Sequence, residues 1–208
     1  GCVSEIEAAA VTLGEFGLAP RFSEAVESGE ILIKDSTCPA LHAQLQATEK
    51  SVPFMPLRGV IGSDIQKYRN DWQVIENPMK SSGNKNEPIL LLPAVKLDVL
   101  IFHAPCVDKN GNIQIGRRRE LATLAHASKK VFVTTEQILD IDFFDDELSA
   151  ATCLPALYVD GISVVENGAW PCALPGVYGP DNDEIKKYSI AAKTQKGFND
   201  YMKNYLSN

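Results

Sequence analysis

The sequence is short of the features that define several large protein classes. No apolar run approaches the roughly 20 residues that a membrane-spanning helix requires. Basic residues are outnumbered by acidic ones, 20 against 27, which leaves a formal net charge of -7. An acidic balance of this size argues against a nucleic acid or an anionic membrane surface as the partner. We therefore expect a soluble protein that binds neither nucleic acid nor membrane.

The few cysteines and histidines are not spaced like metal ligands. No C-x-x-C pair occurs, and the five cysteines are widely separated: Cys2, Cys38, Cys106, Cys153 and Cys172. This set favours reduced thiols in the cytoplasm over a disulfide framework or a zinc site. The three histidines also lack metal-motif spacing, and we interpret each as structural: His42, His103 and His126. Cys106 follows a predicted strand, but no partnered base supports a nucleophilic role.

The length and the hydrophobic pattern indicate an α/β protein. With 208 residues, 45% of them hydrophobic, the chain can bury a substantial core, so we expect one domain over residues 1–208. Strand and helix patterns alternate, which predicts an open, largely parallel sheet flanked by helices. The predicted strands are residues 31–35, 90–92, 99–103, 113–115, 131–135 and one or two within 156–165. The predicted helices are residues 20–27, 39–49, 119–129 and 183–206.

Two segments are predicted to be loops, and the chain opens abruptly. Residues 53–71 are rich in proline and glycine, and residues 80–87 are polar. The chain begins Gly-Cys-Val, without an initiator methionine, and an apolar pattern is already under way at Val3. We therefore expect the domain to be incomplete at its N-terminus.

The first candidate site is a turn followed by three arginines. Asp108, Asn110 and Asn112 are natural turn formers, so a purely structural turn is one interpretation. Arg117–Arg119 stand at a predicted helix start, where the helix dipole prefers negative charge. Cations at this end make sense if an anion binds there. The alternative, that Glu120 and other carboxylates neutralise the arginines, stays open.

Two further candidates contain glycine. Residues 53–64 form a proline- and glycine-containing loop that either walls a pocket or is a plain connector. Glu15 lies between glycines, where the backbone can approach a ligand closely. Glu166 is followed by Asn-Gly, and we interpret it as part of a solvent-facing turn.

Taken together, these segments resemble the alpha subunit of family I CoA-transferases of the glutaconate and 3-oxoacid type. The matching pieces cover most of the chain: residues 17–22, 53–54 through 62–64, 103–136, 169–171, 175–176 and the closing helix. The resemblance implies an open α/β fold of the CoA-transferase/NagB type and an obligatory beta subunit. It also implies coenzyme A as a substrate, with no permanently bound cofactor.

The resemblance also implies a division of catalytic labour. In this family a glutamate of the beta chain attacks the acyl-CoA thioester, forming a mixed anhydride and then a glutamyl-CoA thioester. That glutamate lies in a Ser-Glu-Asn-Gly setting, and Glu166-Asn-Gly matches it in three letters only, so the role is not transferred. The alpha chain is expected to supply one wall of the pocket, with these candidate residues: Phe54, Arg58, Gly62, Ser63, Ala104, Asp108, Asn112 and Arg118.

One departure from the family pattern leaves alternatives open. The usual N-terminal glycine-rich segment is absent, which is expected to leave strand edges unpaired and apolar surface exposed. Besides a transferase subunit, the scaffold fits a thioester or ring-opening hydrolase in which Glu15 activates water. A third possibility is a non-catalytic module that binds acyl-CoA.

Overall fold

A computed structural model describes residues 2–79 and 87–206 of the chain. Its strands are β1 (Glu5–Ala8), β2 (Leu32–Asp35), β3 (Phe54–Leu57), β4 (Gln73–Glu76), β5 (Pro88–Pro93), β6 (Leu97–Ala104), β7 (Val107–Asp108), β8 (Ile113–Gln114), β9 (Ser128–Thr135), β10 (Ile138–Leu139), β11 (Cys153–Leu154) and β12 (Gly161–Val164). Its α-helices are α1 (Pro20–Glu27), α2 (Cys38–Glu49), α3 (Glu120–Ala127), α4 (Glu147–Ala151), α5 (Asn182–Ala191) and α6 (Gln195–Leu206). Most of the predicted polar loop at 80–87 lies outside the described residues.

A parallel sheet of order β12-β9-β6 forms the centre of the molecule. The chain leaves β6, forms the β7–β8 hairpin, crosses back through α3 and enters β9 beside β6. One sheet face packs into a core of apolar side chains that includes Val131, Val133, Leu121 and Ala125. The predicted α/β class with a largely parallel sheet flanked by helices is confirmed.

The other face of this sheet is partly open. Ile101 is 72% exposed and its neighbour on β9, Phe132, is 43% exposed. A separate two-stranded parallel sheet, β1-β2, leaves Leu32 63% exposed. The single domain with an incomplete N-terminus stays a prediction.

A third sheet corrects the prediction of a continuous loop over residues 53–71. β3 and β4 both pair antiparallel with β5, in the order β3-β5-β4. Pro56 is compatible with β3 because β3 is an edge strand. On the open side of an edge strand no backbone N–H is needed for a sheet hydrogen bond, so a proline there loses none. The inner face packs on α2 through Leu90, Leu92 and Trp72.

Among the described residues, no helix is long and apolar enough to cross a membrane.

Candidate active site

Polar groups converge where the three parallel strands end. His103 lies at the end of β6, Glu136 follows β9 directly, and Asn167 and Gly168 follow β12 in the chain. Because the strands are parallel, these positions share the carboxyl edge of the sheet. Open α/β sheets place their ligand sites outside this edge.

Glu136 is the centre of this cluster. Its Oε1 atom accepts hydrogen bonds from Nε2 of His103 and from the hydroxyl of Tyr178, each at 2.8 Å. The backbone N–H of Asn167 donates to Oε2 at 2.8 Å, and that of Gly168 to Oε1 at 3.3 Å. An ionised carboxylate only accepts, so Nε2 of His103 carries the proton in this arrangement. Thr134 holds the other ring nitrogen, Nδ1, at 2.8 Å from its hydroxyl oxygen.

Packing against the imidazole makes glycine necessary at position 168. A Cβ atom built on Gly168 would lie 2.5 Å from Cε1 of His103, closer than real Cβ contacts approach. The Asn167–Gly168 turn therefore lies directly on the histidine ring. The hydroxyl of Tyr178 also accepts a hydrogen bond from the Ala169 N–H, at 3.0 Å. The cluster thus binds the segment after β12 to the end of the sheet.

The surroundings of Glu136 favour its ionised form. Burial by itself raises the pKa of a carboxyl group, but the hydrogen bonds from Asn167, His103 and Tyr178 outweigh burial and hold the pKa of Glu136 below its usual value. Burial raises the pKa of Tyr178, and the neighbouring Glu136 raises it further. The pair therefore consists of a carboxylate that accepts and a phenol that donates.

The predicted turn at residues 108–112 is present and deeply buried. The side chain of Asp108 accepts hydrogen bonds from the N–H groups of Asn110, Asn112 and Phe143 and from the side-chain amide of Asn112, at 2.8–3.0 Å. Asn112 in turn accepts the N–H of Ala156 at 2.9 Å. Asp108 and Asn112 are 1% and 4% exposed, so both stabilise the protein interior. Burial raises the pKa of Asp108, but these hydrogen bonds outweigh it and lower the pKa.

The three predicted arginines separate in the structure. Arg117 is exposed, and Arg119 donates to the carbonyl oxygen of Ala151 at 2.7 Å. Arg118 is half-buried and donates to the carbonyl oxygen of His103 at 3.0 Å, beside the carboxyl edge. Burial lowers the pKa of Arg118, partly opposed by Glu120, and no carboxylate of the described residues lies within salt-bridge distance of it.

The other predicted pocket residues lie on different elements. Ala104 ends β6 and is fully buried in the core. Phe54 and Arg58 line an apolar cleft of about 550 Å³ on the outer face of β3-β5-β4, and Arg58 forms an ion pair with Glu87. Ser63 has a buried hydroxyl without a hydrogen-bond partner among the described residues. Gly62 precedes it with a φ of 83°, a value that favours glycine. The structure therefore brings Ala104, Asp108, Asn112 and Arg118 to one edge and leaves residues 54–63 on strand β3 and the loop that follows it.

Glu15 lies apart from both the carboxyl edge and strand β3, in an apolar cleft of about 660 Å³. One wall is the 3₁₀ turn Gly14–Phe16, which packs against α5, and another is formed by residues 171–173. Within residues 2–79 and 87–206, no group of three or more His, Cys, Asp or Glu side chains lies close enough together to hold a metal ion. Burial raises the pKa of the Cys106 thiol, which disfavours the thiolate that a nucleophile requires.

Comparison with known proteins places this geometry in a family context, although no family profile matches the chain. An uncharacterised protein of Archaeoglobus fulgidus is 34% identical over 99% of this chain and 45% of its own length. The cholesterol ring-cleaving hydrolase IpdA subunit of Rhodococcus jostii is 27% identical over 90% of this chain and 65% of its own length. The alpha subunit of glutaconate CoA-transferase from Acidaminococcus fermentans is 26% identical over 93% of this chain. The chain spans 64% of the length of that protein.

The crystal structure of glutaconate CoA-transferase from Acidaminococcus fermentans superposes with a TM-score of 0.86. The superposition covers 99% of this chain and 69% of the other, with 23% identity. By sequence and fold, the chain is a homologue of the family I CoA-transferase alpha subunits. The CoA-transferase type of fold expected from the sequence is thereby confirmed.

Two site residues of this alpha-subunit homologue escaped prediction from the residue pattern. Glu136 follows the predicted strand at residues 131–135 by one position, and that placement at a carboxyl edge was an available signal. Tyr178 carried none, because it lies 42 residues from Glu136 in a segment without a regular pattern. The structural role predicted for His103 stays a prediction; its ring makes two hydrogen bonds, one to Thr134 and one to Glu136.

Proposed function

We propose that this chain is the alpha subunit of a heteromeric CoA-transferase, which moves CoA between an acyl-CoA and a carboxylic acid. The attacking glutamate would belong to the beta subunit. The observation that carries the proposal, beyond homology, is the state of Glu136. This best-placed carboxylate of the carboxyl edge already accepts four hydrogen bonds, so it is poorly suited to attack a thioester.

In this proposal the alpha chain binds and shapes the substrate while the beta chain supplies the nucleophile. Arg118 would attract an anionic group of the CoA thioester, because it is a half-buried cation beside the edge without a paired carboxylate among the described residues. Asp108 and Asn112 would hold the edge loop in shape, and Ala104 would form its base. Phe54, Arg58, Gly62 and Ser63 would form a second wall or part of the subunit interface.

Trapping of the covalent intermediate tests this proposal. The chain is co-purified with its beta subunit, incubated with acyl-CoA, and treated with hydroxylamine or borohydride. We expect loss of CoA exchange and a modified glutamate on the beta chain. A modified glutamate on the alpha chain, or full exchange by the alpha chain alone, would contradict the proposed division of labour.

A hydrolase is the second candidate, supported by the position of Glu15 and by the IpdA relative. An exposed carboxylate in the wall of an apolar cleft is a reasonable general base for water. The distinguishing measurement is thioester cleavage without an acceptor acid. Cleavage that persists after hydroxylamine treatment and disappears in Glu15→Gln would favour the hydrolase, and binding without either reaction would favour a non-catalytic module.

A cytoplasmic location belongs to the same proposal. All five cysteines are free thiols, which suits a reducing compartment. The acidic net charge supports small-molecule and protein partners over nucleic acid or membrane.

A further inference from the structure

The cleft beside Glu15 lies where two loops meet at the carboxyl ends of parallel strands. One wall, Thr12–Phe16, follows β1, and the other, Pro171–Ala173, follows β12. Carboxyl ends of parallel strands are where open α/β folds bind ligands. The cleft therefore lies where such folds commonly bind ligands, although none of the residues predicted as pocket walls lines it.

Hydrogen bonds connect the second wall to the Glu136 cluster. Tyr178, which donates to Glu136, pairs with Leu174 in an isolated β-bridge. The N–H of Cys172 donates to the carbonyl of Ala169 at 2.8 Å, and the N–H of Ala169 is bound by the Tyr178 hydroxyl. The cleft wall and the carboxyl-edge cluster are thus parts of one hydrogen-bonded segment.

The first wall is equally well defined. The N–H of Leu13 donates to the carbonyl of Gly17 at 2.7 Å, and Thr12 and Leu18 form a β-bridge around the 3₁₀ turn. Gly14 and Gly17 have φ values of 61° and 90°, which permit this tight turn. A cleft with two fixed walls is a pre-formed site, as small-molecule sites usually are.

The chemistry of the lining selects the kind of ligand. Phe16, Pro171, Ala173 and Ile185 make it predominantly apolar. Among the described residues that line it, Glu15 is the only one with a charged side chain, and no lysine, arginine or histidine is present. A ligand with a carboxylate inside this cleft would meet another carboxylate and no cation, which is unfavourable.

From these observations we propose that the cleft holds the uncharged, apolar tail of the acyl group, so that the protein prefers aliphatic monocarboxylic acyl-CoA substrates over dicarboxylic ones. This inference rests on the proposed function, because it assigns the acyl group of that reaction. It also predicts a substrate class for this chain that differs from glutaconate, the dicarboxylic acid for which one relative is named.

Binding of three probes tests the assignment: acetyl-CoA, octanoyl-CoA and glutaryl-CoA, titrated by calorimetry into the full chain and into its complex with the beta subunit. Octanoyl-CoA is expected to bind more tightly than glutaryl-CoA. In Ala173→Trp, which fills the cleft, octanoyl-CoA affinity should fall by about tenfold or more while acetyl-CoA affinity changes less than about twofold. Ala151→Trp, at an exposed alanine elsewhere, is the matched control.

A second variant avoids the risk that a large side chain disturbs folding. Glu15→Lys places a cation in the wall and should shift the preference from octanoyl-CoA towards glutaryl-CoA by about tenfold. Glu27→Lys, at an exposed glutamate of α1, should shift nothing. If Glu15→Lys leaves the preference unchanged, or folded Ala173→Trp still binds octanoyl-CoA normally, the assignment is wrong. Loss of beta-subunit binding in Ala173→Trp without any change in chain-length preference would also overturn it, because the cleft would then be a protein interface.

Binding and turnover can fail separately. If the chain-length pattern holds but no CoA exchange occurs with the beta subunit, the cleft assignment stands and the transferase proposal fails. If CoA exchange occurs and neither variant changes the chain-length preference, the transferase proposal stands and the cleft assignment fails.

Discussion

Asp108 is a buried carboxylate and Glu136 a half-buried one near the same edge of the sheet, yet they are held in different ways. Three of the four hydrogen bonds to Asp108 come from residues within four positions in the chain. All four to Glu136 come from residues at least 31 positions away. Asp108 therefore fixes the shape of one local turn, whereas Glu136 holds separate segments together. A turn held by neighbouring residues can be predicted from the sequence, whereas a cluster built from distant segments cannot.

The largest effect is expected at the local carboxylate. Asp108→Asn replaces an acceptor by an amide whose N–H₂ group faces buried N–H donors, so we expect a loss of about 3–5 kcal/mol in the free energy of unfolding. Urea denaturation followed by tryptophan fluorescence measures it. Asp140→Asn, at an exposed position, is the control and should change stability by less than about 0.5 kcal/mol. Equal stability of the two variants would show that the Asp108 hydrogen bonds contribute little.

A smaller and more local effect is expected at the long-range carboxylate. Glu136→Gln weakens the bonds that attach residues 167–178 to the sheet, at a cost of about 2 kcal/mol. Amide hydrogen exchange should rise in this segment before it rises in β6 and β9. Glu166→Gln changes the adjacent exposed glutamate and should leave exchange unaltered. Uniform acceleration over the whole chain would mean that the cluster supports the fold globally and not one segment.

Acidification tests both carboxylates together. Their pKa values are lowered in the folded protein, below ordinary values of 3.8 for Asp108 and 4.5 for Glu136. The stabilisation is therefore complete above those ordinary values and is lost as the pH falls through the folded pKa values. The contribution of these two groups to the free energy of unfolding should be constant near neutral pH and should decline below about pH 4.5. Asp108→Asn should make that decline shallower, and an unchanged slope would exclude Asp108 as a contributor.

The comparison also explains how much was predictable from sequence. The Asn110–Gly111 turn and the strands β6 and β9 follow from local residue pattern, and all three are present. Within the loop predicted over residues 53–71, residues 54–57 form the edge strand β3 instead. Prolines usually indicate irregular structure, but an edge strand tolerates Pro56. The Glu136 cluster required knowledge of which distant segments return to the sheet. Pattern alone does not provide that.

The surroundings of the three neighbouring arginine side chains could not be predicted from the sequence either. The residue pattern marked Arg117–Arg119 as one cationic group, but each side chain has different surroundings, and Arg118 is the one that reaches β6. Arg118→Ala should weaken acyl-CoA binding roughly three- to tenfold at low salt, and the difference should shrink at high salt. Arg117→Ala, at the exposed neighbour, should have a smaller effect. Identical affinities at low salt for wild type and Arg118→Ala would rule out an anion site at this residue.

The smallest effect on stability is expected at Ser63, whose buried hydroxyl has no hydrogen-bond partner among the described residues. Removing an unsatisfied polar group relieves a desolvation cost, so Ser63→Ala should leave the free energy of unfolding within about 0.5 kcal/mol of wild type or raise it. Ser128→Ala, which removes a 2.7 Å hydrogen bond to the carbonyl of Leu124, should cost about 1 kcal/mol in the same denaturation experiment. If Ser63 belongs to the second wall proposed above, Ser63→Ala should change the substrate preference while turnover persists, because the proposed nucleophile lies on the other subunit. Complete inactivation of a folded, assembled Ser63→Ala enzyme would instead place a chemical step on the alpha chain.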